Sequence, residues 1–263
     1  MVRKAAITLA VAFSAVLAAA ATVNKRIYAG EEAKEGEFPF IVRLHYDDPT
    51  RLCAGSLLDS TTVLTAAHCQ LKSVTSVRAG SLNKDSGGVV AEVESVVDHP
   101  DYKVFVGDVN NDIAILKLST PIEESETISY AKLPASGSSP VIDSIAVAAG
   151  WGGTGMREKS APSDKLLKVA MPIRVMDSTF CTGNPIQLPD TKVCAIGDDV
   201  QRGDTRGGDS GGPLIDQETG QLIGITSVGP RYTKVSSFIP FIDAINNGAH
   251  NGGDWIDPRG VTG

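Results

Sequence analysis

Ten short runs rich in β-branched residues, separated by turn residues, set the limits on what this chain can fold into. The first five are PFIVRLHY (39–46), SLLDSTTVLTAAH (56–68), VTSVRAG (74–80), VVAEVESVV (89–97) and DIAILKL (112–118). The second five are IAVAAGW (145–151), LLKVAMPIRV (166–175), TKVCAIG (191–197), QLIGITSVG (221–229) and YTKVSSFI (232–239). Short strands at regular spacing point to β-barrels or sandwiches. The 27 glycines and 14 prolines, against 5% aromatics, fit many tight turns and few long helices. PASGSSP (134–140) reads as a linker between the two sets, and PFIDAINN (240–247) as one short helix with Pro240 in its first turn. The tail 248–263 holds five glycines and little apolar material, so it is expected to be loose.

The first 26 residues read as targeting and processing segments. Arg3 and Lys4 precede an alanine-rich apolar run, and Ala18, Ala19 and Ala20 supply the small residues that a signal peptidase requires. The reading is a signal peptide over 1–20, a propeptide over 21–26 ending in Lys25-Arg26, and export from the cell. The weaker alternative is an uncleaved membrane anchor, for which an alanine-rich run is poorly suited. Residues 1–26 contain four of the 24 basic residues and no acid, so the remainder carries 20 basic and 31 acidic groups, a net of −11. That acidity argues against nucleic acid or an anionic membrane as partner. Four cysteines, Cys53, Cys69, Cys181 and Cys194, read as two disulfides, for which three pairings exist. No zinc-binding spacing and no N-x-S/T sequon occurs. No cofactor or metal is expected.

Three patterns carry chemistry: LTAAHC with His68, NNDIAILKL with Asp112, and GGDSGGP with Ser210. Acyl transfer by serine needs a base to take the hydroxyl proton and a carboxylate to orient that base. It also needs backbone N–H groups to hold the developing oxyanion. Glycines around Ser210 let the backbone turn those groups inward. Each residue alone has a bland reading: a packed histidine, a turn aspartate, a loop serine. The length of GDSGGP and the chain order His, Asp, Ser favour the catalytic one.

These segments, with GEFPFIV, CAGSLLDSTTVLTAAHC, RAGSL, AAGWG and LLKVAMPI, resemble the chymotrypsin/trypsin family, and most closely the trypsins secreted by filamentous fungi. The resemblance runs from Arg26 to about Asn247. It implies an all-β fold of two antiparallel six-stranded barrels with a short C-terminal helix. The peptidase domain would cover 27–247, with a first barrel over about 27–135, a second over about 136–239 and the helix over 240–247. His68 would act as general base and then acid, Asp112 would orient it, and Ser210 would be the nucleophile. The amides of Gly208 and Ser210 would form the oxyanion hole. RIYAG resembles the family's R-I-V-G-G start, with Tyr28 and Ala29 in place of Val and Gly. Cutting after Arg26 would free the amine of Ile27 to pair with Asp209. The family pattern pairs Cys53 with Cys69 and Cys181 with Cys194. Protein or peptide substrates and protein protease inhibitors are the implied partners, and a monomer the implied state.

Asp204 lies six residues before Ser210, where trypsins place the acid that meets a substrate Arg or Lys. Ser227, Val228 and Gly229 would line the same pocket, with Ser227 near Asp112. Two departures stand out. Arg206 replaces a pocket cysteine, and only Pro230 and Arg231 separate Gly229 from Tyr232, where the family has a longer loop carrying the partner cysteine. Val228 also replaces the usual tryptophan. Arg206 and Arg231 could reach Asp204 and fill the pocket with an internal ion pair. The competing expectation is therefore a protease homologue with an altered pocket that acts by binding another protein.

Overall fold

The computed structural model describes residues 30–69, 73–153, 161–175, 181, 190–197 and 204–248. In chain order the strands are β1 (Glu31–Glu32), β2 (Ile41–Tyr46), β3 (Cys53–Asp59), β4 (Thr62–Thr65), β5 (Val74–Ala79), β6 (Val89–Asp98), β7 (Lys103–Phe105), β8 (Asp108–Asn110) and β9 (Ala114–Leu118). They continue with β10 (Ile145–Gly150), β11 (Leu167–Arg174), β12 (Lys192–Ala195), β13 (Pro213–Asp216), β14 (Leu222–Val228) and β15 (Arg231–Lys234), and the helix α1 (Ile239–Asn246) follows.

The first barrel closes in the order β2-β3-β4-β9-β6-β5. Its interior is built by register. Leu57 pairs with Val63, and Val63 with Leu116, and all three are fully buried. Gly55 is the small member of this interior, since a Cβ there would lie 2.7 Å from Val63 Cγ1. The second barrel runs β11-β10-β13-β14-β15-β12 and closes through β12 on β11. Along β11 the residues alternate: Leu167, Val169, Met171 and Ile173 face the core, while Lys168, Ala170, Pro172 and Arg174 face outward. The fold is thus all-β with two closed six-stranded antiparallel barrels and one short helix, as the resemblance implied.

Three features refine that expectation. Strand β1 pairs antiparallel with β11, Glu31 opposite Lys168, so the segment expected in the first barrel is an edge of the second. Lys168 also pairs with Glu31 and Glu37, which fastens this edge with charge instead of apolar contact. At the other end, α1 buries Phe241, Ile242 and Ile245 in a cluster shared by residues of both barrels. The His99 ring lies 4.9 Å from that of Phe241 and 5.3 Å from that of Phe238. Finally, β7 and β8 form a small separate hairpin just before Asp112, turning at Gly107 with φ +75°. Trp151, at the end of β10, stitches the barrels together by donating its indole N–H to Leu82 O at 3.0 Å.

The signal and propeptide, Arg26, Ile27 and the tail from 249 onward lie outside the described residues. Among the described residues, no helix is long and apolar enough to cross a membrane.

Candidate active site

The carboxylate Asp112 stands between the barrels, 1% exposed. It sits just before β9 because the preceding Asn111 takes a left-handed turn, φ +49°, a conformation that asparagine tolerates better than most residues. The Asn111 side chain donates to Asp101 O at 2.9 Å and fixes that turn. Asp112 Oδ1 accepts the backbone N–H of His68 at 2.9 Å, and Oδ2 lies 2.7 Å from His68 Nδ1. Ser227 Oγ donates to the same Oδ2. From the second barrel, Thr233 Oγ1 donates to the Asp112 carbonyl at 2.9 Å. Burial pushes the carboxyl's pKa up, but the hydrogen bonds and charge of His68 and the bond from Ser227 outweigh it, and the group is held below the usual carboxylate range. An ionised acceptor at Nδ1 assigns the ring proton there and leaves Nε2 as the free base.

His68 lies in a 3-10 turn, Ala67–Cys69, directly after β4. Cys69 is bonded to Cys53 at the start of β3, with Cα atoms 6.3 Å apart, and Tyr46 Oη donates to Cys69 O at 3.0 Å. Cys181 and Cys194 form the second disulfide, in the second barrel.

Ser210 lies between two glycines with positive φ, Gly208 at +105° and Gly211 at +76°. The turn is pressed onto the first barrel: Ala54 N donates to Ser210 O at 2.8 Å, and a Cβ on Gly211 would fall 2.2 Å from Thr65 Oγ1. Thr65 is three residues before His68, so the serine turn and the histidine turn share one seam. Among the described residues, no hydrogen bond joins the Ser210 hydroxyl to His68. The amides of Asp209, Gly211 and Gly212 are bonded to Arg206 O, Thr226 O and Asp209 O, whereas those of Gly208 and Ser210 are bonded to none of the described residues.

Asp209 is fully buried beside Ser210. Its carboxylate accepts Gly152 N at 2.7 Å and Arg206 N at 2.8 Å. Burial pushes its pKa up to about 6, with the Arg206 and Gly152 amides opposing. Any side chain at Gly150 or Gly152 would collide with it, since a Cβ would come within 2.2 and 2.5 Å. The AAGWG segment therefore owes both glycines to the seat of Asp209.

A cavity of about 360 Å³ opens beside Ser210, lined by Asp204, Thr205, Arg206, Gly207, Thr226, Ser227, Val228 and Gly229. Asp204 Oδ1 is buried there with no hydrogen-bond partner. Burial raises the Asp204 pKa, while the Arg206 charge and the Thr205 amide oppose. Arg206 Nη1 stands 3.8 Å from Asp204 Oδ2. Arg231 does not join this pair: its guanidinium turns away to Asp108, 3.3 Å from Oδ2.

Residues 27–246 match the family model described as Trypsin. The chain belongs to the trypsin family. One relative of this trypsin-family chain is a CLIP domain-containing serine protease B4 of Anopheles gambiae, 32% identical over 259 residues, which span 84% of this chain and 70% of the relative. The trypsin fold and the relative together make the protein a serine endopeptidase of the trypsin-like class, acting on protein or peptide substrates.

Sequence reading missed three parts of this site. The turn at Asn111 had a signal, since an asparagine directly precedes the catalytic aspartate candidate. Thr233 had none, because its approach to Asp112 depends on how the barrels dock. The seat of Asp209 was hidden in glycines that look like any turn.

Proposed function

We propose that this trypsin-family protein hydrolyses peptide bonds after Arg or Lys through an acyl-enzyme on Ser210, once a cut after Arg26 has freed Ile27. The observation that carries the reading is the Asp112–His68–Ser227 arrangement at the mouth of the cavity that holds both Ser210 and Asp204. In this mechanism Ser210 Oγ attacks the scissile carbonyl and passes its proton to His68 Nε2. His68 then delivers the proton to the leaving amine, and water attacks the acyl-enzyme by the same route in reverse. Asp112 holds the imidazole and stabilises its protonated form. The amides of Gly208 and Ser210 receive the oxyanion. The side chain before the cut enters the cavity, where Asp204 lacks a hydrogen-bond partner on Oδ1 and gains one from a substrate cation.

Activation follows from Asp209. Burial disfavours the charged form of the Asp209 carboxyl, with its pKa pushed up to about 6, and a new cation from the Ile27 amine would favour that form. That pairing reorganises the Arg206–Gly208 backbone and so couples the cut to the oxyanion amides. An exported precursor with a cleaved signal completes the reading. The disulfides fit an oxidising compartment. The motif likeness to secreted fungal trypsins belongs to this proposal, alongside the mosquito relative.

The test is a panel of chromogenic peptides that differ only in the residue before the cut, assayed on the matured protein. An Arg/Lys preference that disappears in Asp204→Ser supports the reading. Turnover without that preference keeps the protease and rejects the specificity. A second reading, a protein-binding homologue, draws on Arg206 lying 3.8 Å from Asp204 inside the cavity. If the protein's biological effect survives Ser210→Ala, that second reading replaces the first.

A further inference from the structure

The hairpin that forms one side of the substrate cavity is short, and it is paired along β15 to β12 with Ala195 N donating to Pro230 O at 3.1 Å. Strand β14 ends at Val228, and Gly229 and Pro230 alone connect it to β15 at Arg231. Gly229, with φ +60°, is the residue that permits so tight a turn. No covalent tie reaches this hairpin, since all four cysteines are paired elsewhere. Two residues that line the cavity, Val228 and Gly229, therefore depend on weaker contacts for their position.

Among those contacts is one to a carboxylate of the separate β7–β8 hairpin. Arg231 makes three: Nε donates to Val228 O at 3.3 Å, Nη2 to Gly107 O at 2.9 Å, and Nη1 lies 3.3 Å from Asp108 Oδ2. The other oxygen of Asp108 is taken by Lys192 Nζ, from β12. Gly107 and Asp108 belong to the separate β7–β8 hairpin, which lies in the chain between β6 and β9 of the first barrel. The Lys192 side chain is 5% exposed, that of Arg231 17% and that of Asp108 25%. The group is thus shielded from water well beyond a typical surface pair, where solvent leaves little net attraction. The planar fork of the guanidinium is what lets one side chain hold its own strand's carbonyl, a second backbone carbonyl and a carboxylate together.

We propose that the triad Lys192–Asp108–Arg231 braces the Val228–Gly229 side of the substrate cavity by tying the β14–β15 hairpin to the β7–β8 hairpin. This rests on the reading of that cavity as the place where substrate side chains bind. Arg231, Asp108 and Lys192 act through Val228 and Gly229, and are positioning residues for substrate recognition. The brace makes no direct contact with His68 or Ser210, so its loss is expected to act first through KM.

The experiment compares the matured protein with Arg231→Gln, Asp108→Asn and the double variant, with Asp108→Glu as the charge-keeping control. The first readout is binding of p-aminobenzamidine, an arginine-like amidine, by fluorescence in the Ser210→Ala background. The second is amide hydrogen exchange over 103–110 and 228–231. Each single variant is expected to bind the amidine about tenfold more weakly, equivalent to about 1.4 kcal/mol. The double variant should lose clearly less than the sum of the two single losses, because both remove the shared Arg231–Asp108 contact. Exchange should quicken in both hairpins whichever residue is changed, and Asp108→Glu should restore part of the binding. In active enzyme, normalised by active-site titration, KM for Arg peptides should rise while kcat holds. Unchanged amidine binding, additive losses, or faster exchange only in the mutated hairpin would each overturn the brace. Wild-type protein that neither binds the amidine nor cleaves Arg or Lys peptides would reject the proposed specificity, and the exchange data would still decide the brace.

Discussion

At Asp112 four hydrogen bonds define one residue, three to the carboxylate and one to its carbonyl. Asp112→Asn replaces an acceptor oxygen with an NH₂ group and favours the wrong histidine tautomer. We expect kcat to fall about 10⁴-fold with folding intact, a size carried over from the prototype of this triad and not read from these distances. Ser227→Ala is a milder probe. It removes one donor, so the carboxyl's pKa moves back toward its ordinary value. A carboxyl held low stabilises the fold above its unfolded pKa, and that contribution is lost as pH falls through the folded value. Ser227→Ala should therefore unfold at a higher pH in an acid titration followed by circular dichroism; an unmoved acid midpoint would count against the role of that bond. Much of this was legible in sequence. His68, Asp112 and Ser210 stood in recognisable segments, because the proposed chemistry depends on the local backbone around each. What holds Asp112 from behind was not, since Thr233 and Asp112 are 121 residues apart and meet only through barrel docking.

Elements followed the sequence where burial sets a period, and departed from it where charge or a turn does the work. Strand β11 announced itself through alternating apolar residues, and α1 lies within one residue of the expected 240–247. Strand β1 gave no such signal: Glu31 and Glu32 are exposed, and Lys168, which pairs with Glu31, lies 137 residues further along the chain. The β7–β8 hairpin was equally quiet, because its strands are three residues each and Val104, Phe105 and Val106 are exposed. The disulfide beside His68 belongs to this scale. Cys53 and Cys69 are 16 residues apart, and opening a loop of that size costs about 3 kcal/mol. A Cys53→Ser/Cys69→Ser variant should show that loss in urea unfolding. Its activity should fall further than its stability, because Cys69 terminates the turn that carries His68. Equal stability in both proteins would contradict the prediction.

For the whole molecule, stability should respond to pH through Asp209. Its folded pKa of about 6 lies above the ordinary value of 3.8, so the native state binds the extra proton between them. The uncut protein should be most stable below about pH 4 with respect to this group, and lose roughly 3 kcal/mol as pH rises through 6. Asp209→Asn should flatten that slope, as should conversion at Arg26 if the new amine pairs with the carboxylate. Thermal unfolding of uncut, cut and variant protein from pH 4 to 8 tests both, and a slope shared by all three would remove Asp209 as its source.

The chain also crosses over near both ends: β1 completes an edge of the second barrel, while α1 packs against the first, with the Phe241 ring 4.9 Å from that of His99 and Lys117 of β9 donating to Asn246 Oδ1 at 3.0 Å. Each half is thereby held by a strap that belongs to the other. A protease that nicks the exposed connector between β9 and β10 would sever the peptide without freeing either piece, and the product would travel as one body until a denaturant pulled it apart. Neither half is an independent building block, and a gene cut at the linker would yield two polypeptides that fold only in each other's company.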